Sequence, residues 1–152
     1  YIITLHSDNQ FRLDSFLEKN LFEVKDLLFK NINIFPKRIN RNLFSNLRTF
    51  IVRLFLSFIS FSFFPDYGGH PKFLIKKHFM NINYLPKGFS FDACLILYLK
   101  KKSFSYSIKF TTEERNRDFG ISTWNKKYLK QLGLLYQFIY EFLVFFYKIN
   151  NK

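Results

Sequence analysis

The chain has little of the residues on which metal sites and disulfide-bonded scaffolds depend. Its 152 residues include one cysteine, Cys94, and three histidines. One cysteine excludes an internal disulfide framework, and the histidines lack the spacing of zinc ligands, so we expect no metal. A Walker loop, a Ser-His-Asp elbow and a paired carboxylate are also missing. We therefore expect no cofactor, no small-molecule substrate and no enzymatic activity.

Acidic residues are also scarce, and they are unevenly placed. The chain has 24 basic and 11 acidic residues, a net charge of +13. Residues 1–33 contain four basic and five acidic residues, whereas residues 34–110 contain thirteen basic and two acidic ones, a net charge of +11. This distribution is typical of a protein that binds a polyanion. An anionic membrane surface is the competing polyanion, and charge by itself does not separate it from nucleic acid.

A basic arm at residues 34–48 concentrates the cations. It contains no acid, and Pro36 prevents a helix from continuing through it, so we predict an extended segment. Lysine and arginine displace counterions from phosphates, and asparagine donates to sugar and phosphate oxygens. The alternative for the arm is a solvated basic loop, and the alternative for His78 is a hydrogen-bonded strand residue. The predicted RNA-binding residues are Lys37, Arg38, Arg41, Asn42, Arg48, Arg53, Lys76, Lys77 and His78.

The order of the predicted elements indicates an α+β fold. Strands are predicted at residues 1–6, 32–47, 73–84 and 104–110, and helices at 11–29 and 89–97. This β-α-β-β-α-β order is that of a ferredoxin-like sheet domain, which we place at residues 1–110. A long projecting β-hairpin is expected at about residues 34–83. We interpret its apolar run, residues 50–64, as a buried strand or loop insertion rather than a membrane segment.

Residues 111–152 are predicted to form a C-terminal extension with a long apolar helix at about residues 124–149. Apolar residues surround this helix almost completely, so something must cover it. We expect a neighbouring protein to do so, and a membrane is disfavoured by Glu141 in the middle of the segment. The predicted protein-contact residues are Leu135, Phe138, Phe142 and Phe146.

Several short segments of residues 1–110 follow the pattern of one known protein family, and in the same order. They are Ile3-Thr4-Leu5-His6-Ser7, Leu13-Asp14, Ile34-Phe35-Pro36 with Phe44-Ser45-Asn46-Leu47-Arg48, Phe73-Leu74-Ile75-Lys76-Lys77-His78, Asp92-Ala93-Cys94-Leu95-Ile96-Leu97-Tyr98-Leu99 and Ser107-Ile108-Lys109-Phe110. Residues 1–110 thus resemble the small-subunit ribosomal protein family called S-ten. The chain departs from the family pattern at residues 9–11 and 49–51, in a longer segment between Arg48 and Phe73, and in the whole extension.

The resemblance implies a structural constituent of the mitochondrial small ribosomal subunit, located in its head. Its partners would be small-subunit ribosomal RNA and neighbouring head proteins, in the mitochondrial matrix, with membrane binding unexpected. The 23 phenylalanines favour an A/T-rich, organelle-encoded gene. The alternatives are an organelle-encoded accessory subunit of a membrane complex and, by analogy with the same family, a partner in transcription elongation.

Overall fold

The computed structural model describes residues 1–5, 11–80, 82, 84–113 and 128–151, with the backbone alone for residues 128–130. Within these residues the chain forms six strands and five helices. In chain order they are β1 (Ile2–Thr4), α1 (Leu13–Phe29), β2 (Asn33–Ile34), β3 (Lys37–Ile39), α2 (Leu43–Ile59), β4 (Lys72–Leu74), α3 (Lys76–Phe79), α4 (Phe91–Lys101), β5 (Tyr106–Ser107), β6 (Thr111–Glu113) and α5 (Tyr128–Asn150). The predicted α+β class is confirmed. Residues 124–127 of the predicted C-terminal helix lie outside the described residues.

The main sheet has four short strands in the order β1-β4-β2-β5. Strand β4 is antiparallel to both β1 and β2, so β1 and β2, which helix α1 connects, are parallel to each other. This is the arrangement of one split βαβ unit. Strand β5 pairs in parallel with β2, so β4 and β5 are antiparallel and do not form a second split unit around helix α4. The ferredoxin-like arrangement is therefore not confirmed.

A second, two-stranded sheet continues the contact between β2 and β5. Strands β3 and β6 pair in parallel, from Lys37 opposite Thr111 to Ile39 opposite Glu113. Pro36 has no N–H to donate, and it lies between the two paired stretches. The N–H groups on either side of it still find acceptors, from Phe35 to the carbonyl of Ser107 and from Lys37 to that of Phe110. The extended character predicted for the arm therefore holds for its first six residues.

Residues 43–59, which we expected inside the hairpin, form helix α2. The side chain of Asn42 caps this helix by accepting a hydrogen bond of 2.8 Å from the backbone N–H of Ser45. The predicted strand at residues 73–84 is also shorter, because it ends at Leu74 and helix α3 follows. The long β-hairpin is thus not confirmed, and the apolar run that we interpreted as a strand or loop lies mostly in α2.

Helix α1 covers one side of the main sheet. Its apolar residues recur at steps of three and four, as predicted, and Phe16, Val24 and Leu28 are buried. The ring of Phe16 stacks on Phe73 of β4 at 5.8 Å and meets Phe110 edge-on at 5.7 Å. These contacts form the smaller of two hydrophobic clusters.

Helix α4 lies at the centre of the larger cluster. All seven residues from Ala93 to Leu99 are buried, so this helix is covered on every side. Helix α5 packs against it, and Phe138, Phe142 and Phe145 belong to the same cluster. Residue 110 therefore does not separate two hydrophobic cores.

Candidate nucleic-acid interface

The buried side chain of Asn33 joins three segments of the chain. Its Nδ2 donates to the carbonyl of Ser105 at 3.0 Å and to Nδ1 of His78 at 2.9 Å, and its Oδ1 accepts from the N–H of Ile75 at 2.9 Å. A buried amide must satisfy its donors and acceptor within the fold. Asn33 does so by fixing β2, the start of α3 and the segment before β5 against one another.

Four exposed lysines lie on the segments that Asn33 joins. Lys76 and Lys77 begin helix α3, and Lys101 and Lys102 end helix α4. The two segments that carry these pairs are in contact, because the ring of His78, next to Lys77, stacks on that of Phe104, two residues after Lys102, with centroids 4.1 Å apart. We call this group of Lys76, Lys77, Lys101 and Lys102 the lysine cluster. Among the described residues none of the four lysines forms an ion pair, and Lys101 donates from Nζ to Oδ1 of Asn150 at 2.7 Å.

His78 itself is part of the fold. Its side chain is buried, and its Nδ1 accepts from Asn33, which fixes the neutral ring with the proton on Nε2. Burial lowers the pKa of His78, and the nearby Lys77 lowers it further. Of the two interpretations of His78, the structure agrees with the hydrogen-bonded residue, but it lies in helix α3 and not in a strand.

Arg38 of the basic arm forms a buried ion pair. Its Nη2 lies 2.7 Å from Oδ1 of Asp66, and the two side chains expose 14% and 7% of their surface. Burial alone would raise the pKa of Asp66, but the Arg38 guanidinium outweighs it and lowers the pKa. We expected Arg38 to face RNA, and its charge is instead neutralised inside the chain.

Three further residues of the predicted set are held in contacts within the chain. Arg41 donates from Nη1 to the hydroxyl of Thr49 at 2.7 Å, and Asn42 caps helix α2. Arg53 donates from Nε to the carbonyl of Phe64 at 2.9 Å and lies over the ring of Phe63. The exposed cations of the predicted set are Lys37, Arg48, Lys76 and Lys77. Their contacts with RNA stay a prediction.

The strand register separates Lys37 from Lys76 and Lys77. Ile34 pairs with Phe73 in antiparallel strands, so each step forward from Ile34 is matched by a step back from Phe73. Lys37 therefore lies at the level of His70, whereas Lys76 lies at the opposite end of the strand pair. We expected these cations to face each other across a hairpin, and the register does not bring them together.

The structure adds Lys101 and Lys102, which the sequence interpretation did not include. The signal was present as the run Lys100-Lys101-Lys102 after helix α4. Nothing local distinguishes its members, yet Lys100 turns inward to the hydroxyl of Ser62 at 2.9 Å and to the carbonyl of Phe63. The long-range stacking of Phe104 on His78 links the segment of the next two lysines to the segment of Lys76 and Lys77.

The predicted protein-contact residues lie on a helix that the chain partly covers itself. Phe138 and Phe142 are buried in the larger cluster, where Phe142 meets Phe64 edge-on at 6.0 Å. Leu135 and Phe146 are half-buried. Glu141 accepts hydrogen bonds from Ser90 and Gln137, which accounts for a carboxylate in an apolar helix. Phe138 and Phe142 are thus covered without a neighbouring protein.

One segment of the described chain, Gln131–Asn150, is long and apolar enough to cross a membrane by length and composition, with a mean hydropathy of 1.4. Core helices of water-soluble proteins pass the same test. Among the described residues no group of three or more His, Cys, Asp or Glu side chains is placed to hold a metal ion.

Comparison of the chain with protein-family models, with curated proteins and with solved structures finds no match.

Replacing Arg38 tests whether this residue serves the fold or an RNA surface. Arg38→Met is expected to lower the free energy of unfolding by about 2 kcal/mol, because Asp66 loses its charged partner but keeps two backbone N–H donors. The exposed neighbour gives a matched control, since Lys37→Met should change it by less than about 0.5 kcal/mol. Urea unfolding measures both values. Equal effects from the two variants would contradict the buried pair.

Proposed function

We propose that this chain binds structured RNA as a component of the mitochondrial small ribosomal subunit. The observation that carries the proposal is the lysine cluster, four exposed cations fixed on a rigid part of the fold. Such an arrangement favours binding to a phosphate backbone, because each neutralised phosphate releases condensed counterions. Rigid placement strengthens binding further, because the backbone that carries these lysines does not have to become ordered when RNA binds.

The use of the acidic residues supports the same proposal. Five described carboxylates form ion pairs within the chain, and two of these pairs, those of Asp66 and Asp92, are largely buried. These five acids therefore each offset a basic residue, and the excess of basic residues gives the chain its positive charge. A net charge of +13 on 152 residues then favours association with a polyanion.

The resemblance to the S-ten family is the reason for proposing the small ribosomal subunit as the assembly. The resemblance covers residues 1–110 and implies a ferredoxin-like topology. The observed sheet contains one split βαβ unit, which is part of that topology. On this proposal the partners are small-subunit ribosomal RNA and neighbouring proteins of the subunit head, and the location is the mitochondrial matrix. The chain acts there as a scaffold.

The salt dependence of RNA binding tests the lysine cluster. In Lys76→Gln with Lys77→Gln, the slope of log K against log salt should fall in magnitude by nearly two units, because about 0.9 unit is lost per phosphate contact. The RNA is a transcript of the small-subunit ribosomal RNA, and filter binding at several salt concentrations gives the slope.

A matched pair on helix α1 serves as the control. Lys19 and Lys25 are equally exposed, but they share their helix with four acids. Lys19→Gln with Lys25→Gln should leave the slope nearly unchanged. Equal losses in both double variants would show a diffuse attraction and overturn the assigned interface.

A further inference from the structure

Helix α2 turns its more apolar face away from the core. The inward positions are Ser45, Thr49, Val52, Leu56 and Ile59, of which only Leu56 is fully buried. The outward positions are Leu43, Phe44, Leu47, Phe50, Ile51, Leu54, Phe55 and Phe58, all exposed. A helix normally buries its apolar stripe and shows its polar side to water. Helix α2 does the reverse.

The eight outward residues form one continuous surface, which we call the outer face. At 100° per residue they fall within an arc of about 140°, and no polar side chain interrupts it. Phe61 and Phe63 extend it past the end of the helix, with 91% and 67% of their surfaces exposed. Contiguous apolar surface of this extent marks a place where another molecule binds.

The charged residues that helix α2 itself carries are both positive. Arg48 lies at one edge of the arc and Arg53 beyond the other edge, and residues 34–65 contain no acid. Apolar residues on one face with cations beside them are the pattern of a helix that lies in the surface of an anionic membrane. Self-association through this face is opposed by the net charge of +13 on each copy.

A protein partner fits the outer face less well than lipid does. Protein interfaces carry about one hydrogen bond per 100–200 Å² of buried surface. The eight side chains of the outer face are all Leu, Ile or Phe, and none can donate or accept one. A hydrocarbon boundary requires no such bonds, while anionic headgroups attract the positive charge of the flanking arginines.

We propose that the outer face of helix α2 docks the protein on an anionic lipid surface, with the helix lying parallel to the membrane. This site uses other residues than the lysine cluster, and the two approach each other where Lys100 contacts the carbonyl of Phe63. The Phe58, Phe61 and Phe63 rings enter the acyl region, and the arginines stay at the level of the headgroups.

Vesicle flotation tests the proposal with the purified full-length chain and no RNA present. The protein should float with vesicles of phosphatidylcholine mixed with phosphatidylglycerol, and much less with phosphatidylcholine alone. Leu47→Gln with Ile51→Gln should lower partitioning by about tenfold or more, because two apolar side chains no longer enter the lipid. Thermal melting should match that of the original chain, since both positions are exposed and glutamine favours helix.

Helix α1 again provides the matched control. Phe22 and Phe29 each expose 87% of their surface, outside the outer face, so Phe22→Gln with Phe29→Gln should float like the original chain. Three flotation results would overturn the proposal. One is no flotation with either vesicle, another is an equal loss in the control variant, and the third is retention after carbonate washing, which would indicate a spanning helix α5. A photo-crosslinker at position 54 that reacts with a ribosomal protein rather than lipid in mitochondria would also overturn it.

Discussion

Asp92→Asn is expected to lower the free energy of unfolding by about 3–5 kcal/mol, because it leaves a buried ammonium without its carboxylate. The Lys72 side chain has no exposed surface, and its Nζ lies 3.0 Å from Oδ2 of Asp92. The same Nζ lies 2.6 Å from Nε2 of His70, whose Nδ1 donates to the carbonyl of Thr4 at 3.1 Å. The group therefore fixes strand β1, strand β4 and the first turn of helix α4.

The pH dependence of stability gives this prediction a second measurement. Burial alone would raise the pKa of Asp92, but the Lys72 ammonium and His70 outweigh it and lower the pKa from 3.8 to about 2. A carboxyl whose pKa is lower in the folded state stabilises the fold above pH 3.8 and loses that contribution as the pH falls toward 2. The contribution is about 2 kcal/mol by linkage. Asp92→Asn should remove this part of the acid dependence.

Burial of the Lys72 ammonium offsets part of the stabilisation that the Asp92 carboxylate contributes. Burial lowers the pKa of Lys72, and Asp92 raises it back only in part. The pair is thus costly to break and modest in net value, as buried ion pairs generally are. Lys72→Met with Asp92→Leu should consequently be more stable than Asp92→Asn alone, which urea unfolding of the two proteins can measure.

The exposed pair on helix α1 is the matched control for Asp92→Asn. Lys30 and Asp26 lie 2.7 Å apart with more than half of each side chain exposed. Asp26→Asn should change the free energy of unfolding by less than about 0.5 kcal/mol, because water and salt screen the pair. If Asp92→Asn were equally mild, Lys72 would have to reach water, and the buried group would not exist as described.

The elements that the sequence predicted well are those with a periodic pattern. Helix α1 was predicted from apolar steps of three and four, and its bounds differ from the observed ones by two residues at the start. Helix α2 was missed because its sequence was divided between an extended arm ending at Arg48 and a separate apolar run from Phe50, which concealed the apolar steps of three and four from Leu43 to Phe58. The cap at Asn42 was a second local signal of a helix.

The candidate site depends on contacts that no local pattern contains. Arg38 looked identical to the other arm cations, and Asp66, its partner, lies 28 residues away. The lysine cluster depends on Asn33 reaching His78, which is 45 residues further along the chain. Composition could predict that the surface is basic, but only the fold decides which cations face solvent and which are neutralised inside.

Phe142→Ala is expected to lower the free energy of unfolding by about 3–5 kcal/mol, because it opens a cavity in the larger cluster. Phe142 has no exposed surface and meets Phe64 edge-on, while Phe138, one turn before it, stacks on Tyr67 at 6.2 Å. These partners lie at residues 64 and 67, far from helix α5 in sequence. The helix therefore completes a core that the rest of the chain cannot close.

The same helix provides the control that separates its two faces. Tyr136 exposes 72% of its surface, so Tyr136→Ala should change the free energy of unfolding by less than about 0.5 kcal/mol. A chain that ends after Glu113 should lose cooperative unfolding, since helix α4 would then expose the side that Phe138, Phe142 and Phe145 cover. If that shortened chain melted as sharply as the full one, residues 1–110 would be an independent domain. Helix α5 would then be an extension whose apolar face a neighbouring protein has to cover.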